Sequence, residues 1–310
     1  MLDALPRVVA ILGATATGKT ELGERLAHRL DTEVVCADSR QVYRELEIGT
    51  GKPAPRERAA VPHHLFDALR LDQRASAGWY ARAAAEACRA IAARGHLPVL
   101  VGGSGLYFKA LASGLSGAPP RVPEIRARLE AELDASGPEE MHRRLAERDP
   151  ETAARLRPRD RQRITRALEV LEASGHPISW WHARETSPAL EARWRMFELG
   201  LEAKALGERI ERRTRAMFDG GLVEETRALL EDGLEPALGR LNAVGYDEAL
   251  DLIAGRITRA EAEERTSART RQLAKRQRTW FRHQVQATRL DGAESAERLT
   301  TRIVEGLESP

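Results

Sequence analysis

The segment Gly13-Ala14-Thr15-Ala16-Thr17-Gly18-Lys19-Thr20 limits the possible folds of this chain more than any other. It satisfies G-x-x-x-x-G-K-[ST] at every position. It also stands between the apolar run Val8-Val9-Ala10-Ile11-Leu12 and a helical pattern with Leu22, Leu26 and Leu30 on one face. A buried strand that turns through glycines into a helix aims successive backbone N–H groups at one point, where the helix terminus is also positive. That turn suits a di- or triphosphate group, with Lys19 adding a point charge and the Thr20 hydroxyl offered to Mg²⁺.

The neighbouring pattern extends the same architecture. Strands are predicted at 32–37 and 97–101, with an alanine-rich helix at 76–94 between them. This alternation predicts an α/β fold with a parallel sheet flanked by helices, of the P-loop NTPase-like kind. After residue 113 the breakers Gly114, Gly117, Pro119, Pro120 and Pro123 form a hinge. Helices are predicted beyond it at 126–135, 138–147 and 161–173, with no convincing strand. A strand returns at 196–201, followed by helices at 206–219, 223–232, 246–254 and 258–286 and a short closing strand at 288–290. The expected organisation is a core of residues 1–115 and 197–310, ending in a long basic helix, interrupted by an all-helical insertion of residues 116–196.

Charge narrows the partners. The 310 residues carry 49 Lys or Arg against 47 Asp or Glu, so the net charge of +2 excludes a generally polybasic protein. The distribution is uneven, however. Eight basic residues and no acid lie between Arg265 and Arg289, and Arg155, Arg157, Arg159, Arg161, Arg163 and Arg166 cluster with Asp160 alone opposing. Such stripes suit either a solvated helix face or a polyanion docked on a defined surface. Two cysteines, Cys36 and Cys88, are too few for a disulfide framework. No apolar run approaches the ~18 residues of a membrane span. The N-terminal Met-Leu-Asp-Ala-Leu-Pro does not read as a signal peptide, so a cytoplasmic protein without a membrane partner is expected.

A phosphate loop does not settle the chemistry. Asp38, after Val34-Val35-Cys36-Ala37, suits a metal carboxylate in a kinase, a general base toward an acceptor, or the cap of the next turn. Ser104, in Gly102-Gly103-Ser104-Gly105, is not the nucleophile of a G-x-S-x-G elbow, because Leu106 stands at the last position. His63 and His64 are adjacent and chelate poorly. Trp180-Trp181 suits packing of the insertion or, less well, a stacking platform for a base.

The segments Asp38-Ser39-Arg40-Gln41-Val42-Tyr43 and Ile48-Gly49-Thr50-Gly51-Lys52-Pro53 make the chain resemble the bacterial tRNA dimethylallyltransferases. The likeness continues through Pro62-His63-His64-Leu65, Gly102–Tyr107, Gln162-Arg163, Arg212–Met217, Ala243-Val244-Gly245-Tyr246 and Thr270–Gln277, from Val8 to about Leu290. It implies transfer of a dimethylallyl group from dimethylallyl diphosphate to N6 of the adenosine on the 3′ side of a tRNA anticodon, with the phosphate loop holding the leaving group. Asp38 is then the base, Arg215 and Ser104 lie near the diphosphate, and Thr20 holds Mg²⁺. The implied partner is the anticodon stem-loop of tRNA, met by a monomeric enzyme. The segments implied to contact that RNA are Asp38, Ser39, Arg40 and Gln41; Ser104; Arg126; Gln162, Arg163, Ile164, Thr165 and Arg166; Asn242, Ala243, Val244, Gly245, Tyr246 and Asp247; and Lys275 and Arg278. Three positions depart from the family pattern. Ser104 replaces a common threonine, Asn242 stands where arginine is expected, and Gly51 stands, with no expected effect, where alanine is usual. The alternatives are an adenylate isopentenyltransferase acting on a free nucleotide, for which the insertion and the basic helix have no purpose, and a P-loop kinase or other ATP-binding NTPase.

Overall fold

The computed structural model describes residues 5–184 and 186–308. Six strands form one sheet: β1 (Arg7–Gly13), β2 (Val34–Cys36), β3 (His63–His64), β4 (Val99–Gly102), β5 (Arg193–Gly200) and β6 (Thr288–Asp291). Their order is β3-β2-β4-β1-β5-β6, and every neighbouring pair is parallel. β1 is the central strand, paired from Arg7↔Arg193 to Gly13↔Leu199 on one side and from Val9↔Val99 to Leu12↔Gly102 on the other.

Helices cover both faces of this sheet, which is why β1 reads as an unbroken apolar run instead of an alternating one. Val8, Ala10 and Leu12 pack into one core with Val35, Leu100 and Tyr80. Val9 and Ile11 point the other way, into a second core with Leu22, Leu26 and Phe197. Part of that second core comes from the helix Ala296–Glu308, on which Leu299, Ile303 and Leu307 recur at i, i+4 and i+8 and which the predicted elements do not include. β3 was also unanticipated. It is two residues long, carries no apolar run, and exists only because Val34 and Val35 of β2 offer it a ladder. β2 is shorter than the expected 32–37, since Thr32 turns its hydroxyl to the Leu97 carbonyl (2.7 Å) before pairing begins.

The chain divides into two compact units, one of residues 1–112 with 189–310 and one of residues 113–188. The sequence placed the return to the core at residue 197. The structure places it earlier, because Arg193 already pairs with Arg7 and donates its backbone N–H to the Pro6 carbonyl. The second unit is built from Pro123–Ser136, Pro138–Arg148, Pro150–Arg155, Arg161–Ser174 and Ile178–His182, with no strand among its described residues. The first three of these helices begin at proline, where the missing N–H costs nothing. Leu129, Leu133, Met141, Leu145, Ile164 and Leu168 form this unit's own core. Among the described residues no helix is long and apolar enough to cross a membrane.

Candidate functional site

Parallel strands end on one edge, so the loops that follow β1, β2 and β4 converge there, as ligand-binding loops of open α/β sheets do. They border a cavity of about 560 Å³ whose wall includes Lys19 and Thr20 after β1, Asp38 and Gln41 after β2, and Gly103 after β4. Gly18, the N-cap of Lys19–Arg29, is left-handed at φ 99°, a conformation that costs a residue with a Cβ about 1 kcal/mol or more. The turn it permits folds the Lys19 side chain back, so that Nζ donates to the Ala14 carbonyl of its own loop. Burial pushes the Lys19 ammonium down to about 8, Asp38 partly restores it, and Arg213 lowers it further.

Arg213 is the second cation of the wall, partly buried. It donates from Nη1 to the Thr15 hydroxyl (3.2 Å) and from Nη2 to the Thr50 carbonyl (3.0 Å). Burial lowers its pKa and Asp38 opposes that shift. Both of its hydrogen-bond acceptors are neutral oxygens. Lys19 and Arg213 share the cavity wall with Asp38, whose charge acts on both, and with Glu21 and Glu24. The Asp38 carboxylate accepts the Arg40 backbone N–H on Oδ1 (2.8 Å), and Oδ2 has no hydrogen-bond partner among the described residues. Gln277, from the long helix Arg259–Gln284, accepts the Thr15 N–H (2.8 Å) and donates to the Gly103 carbonyl (2.9 Å), stapling the phosphate loop to the loop after β4. Arg209 braces the same loop, donating to the Thr17 and Gly292 carbonyls at 3.1 and 3.0 Å.

Gly13, Ala14, Thr15, Ala16, Thr17, Gly18, Lys19 and Thr20 thus form one loop around the cavity, with Asp38 and Gln41 opposite. Two expected catalytic side chains are elsewhere. On the helix Ala203–Asp219, Arg209, Arg212, Arg213 and Ala216 line the cavity, which is the i, i+3, i+4, i+7 face. Arg215 lies roughly 200° around the axis from Arg213 and is exposed. Arg213 therefore faces the phosphate loop where the resemblance had put Arg215. Ser104 is outside the cavity wall and uses its Oγ to accept the Ser39 N–H (2.9 Å).

The expected RNA-side residues fall into exposed, paired and buried groups. Arg40 donates to the Leu241 carbonyl (2.6 Å), which joins the loop after β2 to the 242–247 segment. Gln41 donates to the Thr50 and Gly51 carbonyls, both at 3.2 Å. Asn242 is left-handed (φ 48°, ψ 54°) and accepts from Arg269, a backbone state that favours asparagine over the expected arginine. Ala243 and Tyr246 are buried, so their side chains face the core, while Val244 is partly exposed. Asp247 pairs with Arg269 (2.8 Å), although burial raises its carboxyl. Lys275 is exposed and Arg278 half-buried on the long helix.

In the second unit, Gln162 and Arg163 are exposed, with Arg163 paired to Asp160 (2.7 Å). Ile164 and Thr165 are corrected to core positions, 0% and 1% exposed, because they lie on the inward face of Arg161–Ser174. Arg126 and Arg166 both serve Glu169, a carboxylate with no exposure, at 3.3 and 3.0 Å. A buried carboxylate without such partners would cost several kcal/mol, which gives both arginines a structural task. Trp180 is already occupied as a platform, with the His176 ring stacked at 4.0 Å and the Arg184 guanidinium 3.1 Å from its centroid. His63 and His64 diverge as expected, one meeting the Val61 carbonyl and the other Glu33, each at 2.6 Å.

Among the described residues no group of three or more His, Cys, Asp or Glu could cage a metal ion. The Thr20 hydroxyl, on the cavity wall, is a sparse, oxygen-only donor set. That is the donor set suited to Mg²⁺, which keeps waters and takes most of its remaining ligands from substrate phosphates.

Residues 41–284 match the family described as IPP transferase. A tRNA dimethylallyltransferase from Bradyrhizobium sp. BTAi1 is 44% identical over 285 residues, covering 92% of this chain and 93% of that protein. One from Parasynechococcus marenigrum is 46% identical over 302 residues, covering 94% and 97%. The crystal structure of the full-length tRNA isopentenylpyrophosphate transferase of Bacillus halodurans superposes with a TM-score of 0.70 at 33% identity, covering 97% of this chain and 95% of that one.

Proposed function

The chain belongs to the IPP transferase family, and we propose that it transfers a dimethylallyl group from dimethylallyl diphosphate to N6 of the adenosine 3′-adjacent to a tRNA anticodon. The observation that carries this reading is the placing, in one cavity, of the phosphate loop with Lys19 and of Arg213 beside the Asp38 carboxylate. The C1–O bond of the donor breaks as negative charge grows on the departing diphosphate. Loop N–H groups, Lys19 and Arg213 meet that charge where water screens little. Bound Mg²⁺, held by Thr20, would add to the neutralisation of the diphosphate.

The acceptor nitrogen is a poor nucleophile, because its lone pair is delocalised into the purine. Asp38 receives the N6 proton as the N6–C1 bond forms. Its Oδ1 is fixed by the Arg40 N–H, so the carboxylate is oriented before the adenine arrives. The base must leave its stack to reach a cavity at the sheet edge, at a cost of a few kcal/mol that is smallest in a loop. The exposed cations Lys275 and Arg163 suit phosphate contacts that hold the stem-loop during that extrusion.

The test is mass spectrometry of nucleosides after incubating the protein and Mg²⁺ with dimethylallyl diphosphate and either unmodified tRNA or AMP. Prenylated adenosine from tRNA alone is expected, and its absence there would sink the reading. Modification of AMP would move the acceptor to a free nucleotide. Asp38→Ala should bind inorganic diphosphate as the wild type does while losing turnover at least about a hundredfold.

A further inference from the structure

Tyr246 belongs to the segment implied to touch RNA, yet it is 1% exposed and its hydroxyl donates to the Glu225 carboxylate inside the protein. Glu225 accepts that bond and two more. Its Oε1 also accepts the Glu47 N–H (3.3 Å) and its Oε2 the Ile48 N–H (2.8 Å). Both amides belong to the loop that leads, two residues on, to the Thr50 carbonyl held by Arg213 and Gln41. The ring of Tyr246 sets the height of the same loop. A Cβ at Gly49 would come within 2.6 Å of the Tyr246 Cζ and 2.8 Å of a Leu222 methyl, so only glycine lets the loop lie on the tyrosine. Lys52, whose side chain has no exposure, ties the far end to the Tyr43 carbonyl and to Asp67, each at 2.5 Å.

We propose that Tyr246 and Glu225 are positioning residues that act on the diphosphate through the 47–51 loop and Arg213, and that Tyr246 does not contact RNA. The proposal rests on the reading of the cavity as a diphosphate site. A carboxylate that gathers two backbone amides and a phenol hydroxyl fixes a loop from one side. The guanidinium that hangs on the other side of that loop inherits its position. Removing the Tyr246 hydroxyl loosens the Glu225 bracket, so the Thr50 carbonyl and Arg213 lose their common register. RNA contacts are left as they were.

The experiment measures binding of inorganic diphosphate, and separately of an anticodon stem-loop RNA, to the whole chain and its variants. Tyr246→Phe should weaken diphosphate about fivefold and leave RNA affinity within about twofold. Glu225→Gln should act in the same direction, because its amide nitrogen cannot accept the hydrogen bonds that a carboxylate oxygen takes. In an Arg213→Ala background, Tyr246→Phe should bring no further loss of diphosphate binding, since the two act in series. A purely structural tyrosine would lower thermal stability in both backgrounds and weaken diphosphate equally in each, which overturns the proposal. A drop in RNA affinity with diphosphate binding intact overturns it as well. Tyr246→Phe removes a single oxygen and keeps the test decisive if Glu225→Gln does not fold. Should tRNA go unmodified while diphosphate binding follows this pattern, the transfer reading fails and the positioning role stands.

Discussion

Cations drawn out of water give the cavity its chemistry at the scale of single residues. Lys19 and Arg213 both give up hydration, and the direction of their pKa shifts records that cost. A bound diphosphate restores what was lost, so each cation contributes more to the anion than an exposed one could. Arg213→Ala should therefore raise the donor KM by about tenfold or more, while Arg215→Ala, exposed on the other face of the same helix, should change it less than about twofold. Equal effects from the two would return the role to Arg215. Lys19 gives a pH signature. Its folded value is depressed to about 8, and the ammonium is the form that binds an anion. Diphosphate affinity should be level at lower pH and fall about tenfold per pH unit above 8, as titration from about pH 6.5 to about pH 9.5 would show. A profile flat through that range would mean that Lys19 stays charged and that burial does not govern it.

The sequence reading located Lys19, Thr20 and Asp38 because their signals are local, and each sits a fixed few residues from a strand end. It chose Arg215, which the structure turns away from the cavity, because a motif match ignores which way a helix faces, and 209–212–213–216 is a face that only packing selects. Gly51 has a φ of 59°, a left-handed backbone that glycine adopts more easily than the alanine expected there.

At the scale of elements, one helix carries two tasks on two faces. Arg259–Gln284 turns Ala274 and Phe281 into the core and Gln277 into the cavity wall, while Arg271, Lys275 and Arg282 stay exposed. Arg271 is held by Glu211 (3.0 Å), and Arg269 is held by Asp247 and Glu248. The count of eight cations thus overstates what the helix can offer a polyanion. Lys275→Ala and Arg278→Ala should each lower the slope of log K against log salt for RNA by roughly one, measured by titration at several salt concentrations. An unchanged slope would make that face a solvated one. The stripe was legible as composition, but its division into paired and free cations depends on acids that lie dozens of residues away in sequence.

Across the whole molecule, the parallel order β3-β2-β4-β1-β5-β6 brings three loops from residues 13–20, 38–41 and 102–105 to one edge. The sequence by itself determined the central strands, the phosphate loop and the helical character of residues 113–188, because continuous apolar runs, glycine spacing and 3.6-residue periodicity are properties of neighbours along the chain. Tertiary structure alone decided β3, an edge strand with no apolar pattern of its own, and the inward turn of Tyr246, Ile164 and Thr165. It also decided which arginine faces the phosphate loop. Those outcomes depend on contacts between residues far apart in sequence, such as Tyr246 with Glu225 and Gln277 with Gly103, where the energy of burial and of satisfied hydrogen bonds outweighs any local preference.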